Sequence, residues 1–261
     1  MFQTSVLASG SKGNSILVRS AETAILVDAG LAGKTIFAAL ESLRIPKESI
    51  KAILVSHEHS DHSKGAGIIA RALKIPIYMN EGTYEGCAEK LGKLPQAPIF
   101  FETGSTFEIR DLVVHSFTSS HDAIESCNFT IRKGEDEERK LGVATDLGYA
   151  TRLTVNRLKG CTTLVLESNH DEEMLLNGSY DWALKQRVKS SVGHLSNAQA
   201  VDLVKQIMHH NLDNLILAHL SEENNCPELA YRVMNDYLST LKRELNLLVA
   251  GQYKHTPLIN I

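Results

Sequence analysis

The chain is poor in the residues that build disulfide frameworks or thiolate metal sites. Its 261 residues include four cysteines, Cys87, Cys127, Cys161 and Cys226, widely scattered and without CxxC spacing. This excludes a disulfide scaffold and reads as reduced thiols in a cytoplasmic protein. No apolar run approaches the length of a bilayer span. The opening residues, MFQTSVLASGSKGNS, lack the basic segment and long apolar stretch of a signal peptide. Positive charge is not in excess either: 27 basic residues face 31 acidic ones, and neither sign is gathered into a tail or block. Bulk attraction to a polyanion is thereby disfavoured, although bound metal ions would supply positive charge that composition does not count. Histidine, in contrast, is plentiful at eleven residues. A metal site in this chain must draw on nitrogen and oxygen ligands.

With 43% hydrophobic residues the chain can bury a substantial core. Three short apolar segments, 3–8, 15–19 and 24–28, are separated by turn-formers and predict an antiparallel start. A helix over 34–43 stops before Pro46, and residues 51–56 (KAILVS) read as a buried strand. Helices are expected over 64–73 and 83–91, around a short strand at 77–79. The middle returns to strand at 99–101, 106–109, 112–117, 126–132 and 140–145, with the charged run 134–140 as a solvated hairpin tip. A strand at 162–167 precedes a helix-rich stretch to about residue 189. Ser196 followed by Gln199 forms a capping box for a helix to about residue 210. A strand at 215–219, a helix over 228–244 and a strand at 247–250 complete the pattern. Two β-rich and α-rich halves without a linker predict one α/β domain over 1–261, with two sheets face to face and helices outside.

The densest chemical signal is His57-Glu58-His59-Ser60-Asp61-His62, an HxHxDH cluster at the exit of the strand at 51–56. In extended backbone His57 and His59 point to one side. The turn into a helix brings Asp61 and His62 toward the same cavity, so the loop can grip two neighbouring cations. This cluster resembles that of the metallo-β-lactamase superfamily, and the resemblance extends over nearly the whole chain. It implies a four-layer αββα sandwich with the metal site on the edge where strands 51–55, 140–145 and 215–219 end.

The resemblance also implies roles for residues met singly along the chain. Asp28, in LVDAG, matches an early aspartate that orients the cluster; a carboxylate that only caps a turn is the plain alternative. His121, in SSHD, matches a lone histidine ligand, with His115 a competitor inside a strand. Asp146, in VATDLG, matches a carboxylate that bridges two metals, and His219, in LAHLS, the last ligand. One implied site is His57, His59, His121 and Asp146; the other is Asp61, His62, His219 and the same Asp146. The absence of a cysteine from the second set argues against antibiotic hydrolysis.

Three further segments, LASGSKGN at 7–14, ESNHD at 167–171 and GHLSN at 193–197, resemble the YycJ/WalJ group of small bacterial metallo-hydrolases. The last is also similar to a segment of RNase Z-type nucleases, which implies that His194 acts as a general acid or phosphate contact rather than a ligand. Asp61 and His194 are thus the catalytic candidates, His170 a pocket-wall candidate, and Arg187 a phosphate contact or a solvated helix charge.

The expected cofactor is a pair of divalent ions, zinc or manganese, with iron or nickel also compatible with such ligands. The expected substrate is a phosphodiester, with the YycJ/WalJ resemblance implying nucleic acid and a 5′-to-3′ DNA exonuclease. Hydrolysis of a small thioester or lactone is the alternative, and no membrane partner is expected.

Overall fold

The computed structural model describes residues 1–134, 136–241 and 243–261. The first half runs β1 (Phe2–Ala8), β2 (Ser15–Ser20), β3 (Ala24–Val27), α1 (Gly33–Ser42), β4 (Ile50–Leu54), α2 (Ser60–Ser63), α3 (Ala66–Leu73), β5 (Ile77–Met79), α4 (Glu81–Leu91) and β6 (Ile99–Phe100). There follow β7 (Thr106–Ile109), β8 (Leu112–Thr118), β9 (Cys127–Lys133), β10 (Lys140–Ala144), α5 (Arg152–Leu158), β11 (Thr163–Glu167), α6 (Glu172–Asn177) and α7 (Trp182–Lys189). The remaining elements are α8 (Asn197–Ile207), β12 (Asn214–Ala218), α9 (Pro227–Ser239), β13 (Asn246–Val249) and β14 (Ile259–Asn260).

Among the described residues the strands form two seven-stranded sheets, ordered β14-β1-β2-β3-β4-β5-β6 and β13-β12-β11-β10-β9-β8-β7. Each sheet is antiparallel on one side and parallel on the other: β1–β2–β3 and β7–β8–β9–β10 are antiparallel, while β3–β4–β5–β6 and β10–β11–β12–β13 are parallel. Side-chain alternation explains the layering. In β3, Ile25 and Val27 enter the core between the sheets, where they join Leu54, Val114, Phe129, Val143 and Ile216. The alternate residues Ala24 and Leu26 turn outward with Ile53 to meet Ile36, Leu40 and Ile69 of α1 and α3. On the far side, Leu164, Leu166, Leu215 and Leu217 meet α5, α8 and α9 through Leu158, Val204 and Met234. The result is the expected αββα sandwich.

The Ser196–Gln199 capping box is present at α8. Three elements depart from expectation. The helix α9 ends at Ser239 rather than near 244, where the Thr240 hydroxyl donates to the Tyr237 carbonyl and closes the last turn. Lys242 lies outside the described residues, as does Glu135 within the expected tip at 134–140. Sequence reading also missed α5, which buries only Thr154, Val155 and Leu158 and so shows little apolar periodicity. The two-residue strand β14, paired with Gln3 and Thr4 of β1, was missed as well. Among the described residues, no helix is long and apolar enough to cross a membrane.

Candidate metal centre

The chain leaves β3, β4, β8, β10, β11 and β12 at one edge of the sandwich, and the functional side chains sit at these exits. Three loops are zipped together there by the backbone: Asn14 donates to the Asp61 carbonyl, Ala29 to that of His62, and Gly30 to that of Asn14. The approach is so close that a Cβ on Gly30 would lie 1.6 Å from the Asp61 carbonyl oxygen. Only glycine fits at that position.

His57, His59 and His121 form one trio. The Nδ1 of His59 lies 3.2 Å from Nε2 of His121, and the His57 ring is 4.7 and 5.2 Å from the other two rings. Asp61, His62 and His219 form another, with Asp61 Oδ2 3.4 Å from His62 Nε2 and 3.5 Å from His219 Nε2. Asp146 stands between them. Its Oδ2 lies 3.2 Å from His62 Nε2, and its Oδ1 3.6 Å from His121 Nε2. The competitor His115 is held in β8 by Thr106, 2.7 Å from its hydroxyl, and takes no part.

Buried carboxylates beneath the cavity orient these rings. Asp28 accepts from the Ser56 amide (2.8 Å) and hydroxyl (2.9 Å) and lies 2.8 Å from His62 Nδ1, which turns His62 Nε2 inward. Glu167 does the same in the second half and was not singled out from the sequence. Its Oε1 lies 2.8 Å from Nδ1 of both His194 and His219, and its Oε2 accepts from the amides of Leu147 and Leu195. Asn14 was also missed, with its Nδ2 3.1 Å from His62 Nε2. Both belong to segments noticed for their resemblance, the only sequence signal that could have found them.

Backbone conformation contributes as well. Asp28, Asp146 and His219 adopt φ values of 60°, 56° and 54° directly beyond their strands. This left-handed geometry costs non-glycine residues about 1–2 kcal/mol each. The surrounding hydrogen bonds hold it, aiming Asp146 and His219 into the cavity and Asp28 at the His62 ring beneath it.

The cavity encloses about 260 Å³ and is lined by His59, Asp61, His121, Asp146, His194, His219 and buried Asn224, with the more exposed Arg187 and Tyr180 also on its wall. A larger hollow of about 420 Å³ over Phe37, Arg44 and Lys47 contains no comparable cluster. Arg187 reaches the cavity from α7, its Nε 2.6 Å from Asp122 Oδ2. His170 does not line it: the residue is buried, and its carbonyl accepts the Asn197 amide at the start of α8.

Electrostatics divides the cluster. Burial, reinforced by neighbouring rings, pushes His57 well below the ordinary histidine value, and burial likewise lowers His121. Burial also opposes charge on His62, but the carboxylates of Asp146, Asp28 and Asp61 outweigh it and hold that ring well above the ordinary value. The same contest raises His219 to about 10, chiefly through Asp146. Asp146 and Asp61 are held low against burial by these rings, and Glu167 falls to about 2.

The donors fit a divalent metal. Among the described residues, His57 Nε2, His219 Nε2 and Asp146 Oδ2 are buried with no hydrogen-bond partner, an arrangement costing about 1–3 kcal/mol per group unless something binds them. All three belong to groups whose candidate ligand atoms lie within 4.8 Å of one another. Imidazole nitrogens and carboxylate oxygens suit such an ion.

The family model of the Beta-lactamase superfamily domain matches residues 23–219, a span that includes His57 through His219. The chain belongs to the beta-lactamase superfamily. As a member of this metallo-hydrolase superfamily it is a metal-dependent hydrolase, and its sandwich is the metallo-β-lactamase fold. It is 40% identical over 227 residues to exodeoxyribonuclease YycJ of Bacillus anthracis, covering 87% of this chain and 85% of that protein. It is 37% identical to exodeoxyribonuclease WalJ of Streptococcus pneumoniae, over 91% of this chain and 88% of the other. The metallo-β-lactamase fold protein YhfI from Bacillus subtilis superimposes with a TM-score of 0.72 over 98% of this chain and 99% of its own, at 16% identity. That likeness speaks to the fold.

Proposed function

We propose that this chain is a two-metal phosphodiesterase that digests DNA as an exonuclease in the 5′-to-3′ direction. It would act as one domain over 1–261 in the cytoplasm. The observation that carries the reading is the position of His194. It lies beside the ligand cluster, its ring 5.2 Å from those of His121 and His219, yet its Nδ1 is engaged by Glu167. The printed names of the two exodeoxyribonuclease relatives support DNA as the substrate, and four free thiols agree with a reducing compartment.

His57, His59 and His121 would hold one ion, and Asp61, His62 and His219 the other, with Asp146 shared. Zinc or manganese is the choice, iron and nickel being compatible with the same donors. When bound, such a pair supplies charge neutralisation for the phosphodiester and acidifies water between the ions. The protein's own groups do the rest. Asp61 is the more exposed carboxylate of the cluster and accepts a proton from the attacking water. Glu167 orients His194 so that Nε2 carries a proton toward the departing alkoxide, a poor leaving group that gains from protonation. Arg187 would meet a phosphate at the rim.

The test is hydrolysis by the metal-loaded protein of end-labelled single- and double-stranded DNA, bis-p-nitrophenyl phosphate and a thioester. Release of label from the 5′ end first is expected. Cleavage of the thioester with DNA left intact would replace this reading with the acyl hydrolase.

A further inference from the structure

Outside the cavity, charge is unevenly spread. Exposed helices ordinarily mix signs, as α4 does with Glu81, Glu85, Glu89 and Lys90, and α9 with Glu228, Arg232 and Asp236. Two helices do not. α5 carries Arg152 and Arg157, with Lys159 at its C-cap, and α7 carries Lys185, Arg187 and Lys189; neither contains an acidic residue within its span, although Asp181 caps the start of α7. This occurs in a chain with net charge −4.

Their placement relative to the site is the second observation. Asp146 lines the cavity, and six residues later the chain enters α5. Leu184, Arg187 and Val188 of α7 line the same cavity. The segments that flank the two helices touch: Gly148, ahead of α5, packs so tightly on the loop after α7 that a Cβ would lie 2.2 Å from the Ser191 carbonyl carbon. Tyr149 and Leu153, both more than 40% exposed, stand beside this seam, and Trp182, the only tryptophan, is 66% exposed on α7.

Arg152, Asn156 and Lys159 share one face of α5 at i, i+4 and i+7, and all are exposed. Beyond the helix end the strip continues. Lys140 donates to the carbonyls of Arg157 (3.2 Å) and Lys159, and Arg132 lies beside it on β9. His115 reports the resulting field: burial lowers its pKa first, and Arg157, Arg132 and Lys140 lower it further. Among the described residues, few acids are paired with the strip. Asp122 pairs with Arg187, and Glu137 lies 3.7 Å from Arg132.

We propose that the outer faces of α5 and α7 form a track for the sugar-phosphate backbone of DNA, leading across the mouth of the metal cavity and on past Lys159, Lys140 and Arg132. The proposal rests on the nuclease reading of the site. The seven residues of α5 span about 10 Å, room for about three phosphates at ~3.4 Å of duplex axis each. Exposed Tyr149 and Trp182 offer flat faces against which unpaired bases can stack.

The test compares wild type with Arg152→Glu/Lys159→Glu in the metal-loaded protein, using labelled duplex DNA between about 50 and 200 mM salt. Expected is a KM for DNA raised roughly tenfold or more, and a log–log salt slope shallower by about 2, one unit per lost phosphate contact. Hydrolysis of bis-p-nitrophenyl phosphate, too short to reach α5, should stay within about twofold. Arg152→Gln/Lys159→Gln, which removes charge without reversing it, guards against misfolding and should flatten the slope by the same amount. If wild type digests DNA and both variants match it in KM and salt slope, the track is wrong and the nuclease reading stands. If wild type cleaves the aryl phosphodiester but neither binds nor cuts DNA, the nuclease reading falls and the track with it.

Discussion

The first sheet delivers four site residues within six positions after β4, whereas the second delivers His121, Asp146 and His219 singly, each from a different strand. The contrast extends to their supports. Asp28 props one ring, His62, while Glu167 props two, His194 and His219, and also ties down the Leu147 and Leu195 amides. A contiguous loop can place several ligands by local turn geometry. Scattered ligands need a shared buried anchor, and the second half of this site is accordingly the more interdependent.

The largest break is expected at the group both halves share. Asp146→Ala should cost both ions and take hydrolysis to the detection limit, because each trio loses its common carboxylate. Full occupancy by two metals in elemental analysis would end the bridging assignment. Next comes His194→Ala, which should keep both metals yet lose ~10²–10⁴-fold on DNA. The loss should be much smaller on the aryl phosphodiester, whose nitrophenolate departs unprotonated. Equal losses on both substrates would make His194 a positioning residue, and loss of metal would make it a ligand.

The supports should rank below. Outer-shell changes typically cost ~10–100-fold in metal affinity or activity. Glu167→Gln should show this in both readouts, since it loosens a ligand and the proton donor together. Asp28→Asn should weaken the metal held through His62 and leave the rate of the fully loaded enzyme nearly unchanged. If Asp28→Asn proves the more damaging in both readouts, the contrast between the halves is reversed.

A smaller effect concerns pH in the metal-free protein. With His219 raised from 6.5 to about 10, its contribution to stability is complete below about pH 6.5 and lost as pH rises through about 10. Glu167, lowered from 4.5 to about 2, contributes above about pH 4.5 and loses that contribution as pH falls through about 2. Buried His57 and His121, held below the ordinary value, oppose these contributions below about pH 6.5, so the clear expectation for the chelated protein is a Tm that falls from about pH 6.5 toward 10. A Tm that climbs from pH 6.5 to 10 would contradict the charged state assigned to His219. Since metal must displace protons from His62 and His219, metal affinity should rise with pH over the same range. Smallest is Ser196→Ala at the α8 capping box, about 1 kcal/mol of stability with metal content unchanged.

The same contrast governs what could be read from the sequence. The HxHxDH loop announces itself because its ligands are neighbours in the chain. Asp146 and His219 are ordinary strand-end residues whose importance showed only through their order in the family pattern. Glu167 looks like the close of an apolar strand, and nothing local reveals that it will meet two histidines far along the chain. The layered fold was legible for a related reason: strands such as β3 and β12 are apolar on both faces, which only a doubly covered sheet tolerates. The basic track was not legible, because Arg152, Arg157, Lys140 and Arg132 come from three separate elements and are diluted by a net acidic composition.

The division of the cavity between two sheets also sets a timetable. At about 5–20 residues per second of synthesis, the loop bearing His57 to His62 is exposed for roughly ten seconds or more before His219 has been made. During that interval a nascent chain can offer an ion only half a nest. With His219 as a ligand, the complete set would arise only when β12 takes its place beside β11, which would make metal capture a late event in maturation. Its binding energy would then act as a clasp between the two sheets, in contrast to a seed around which they form.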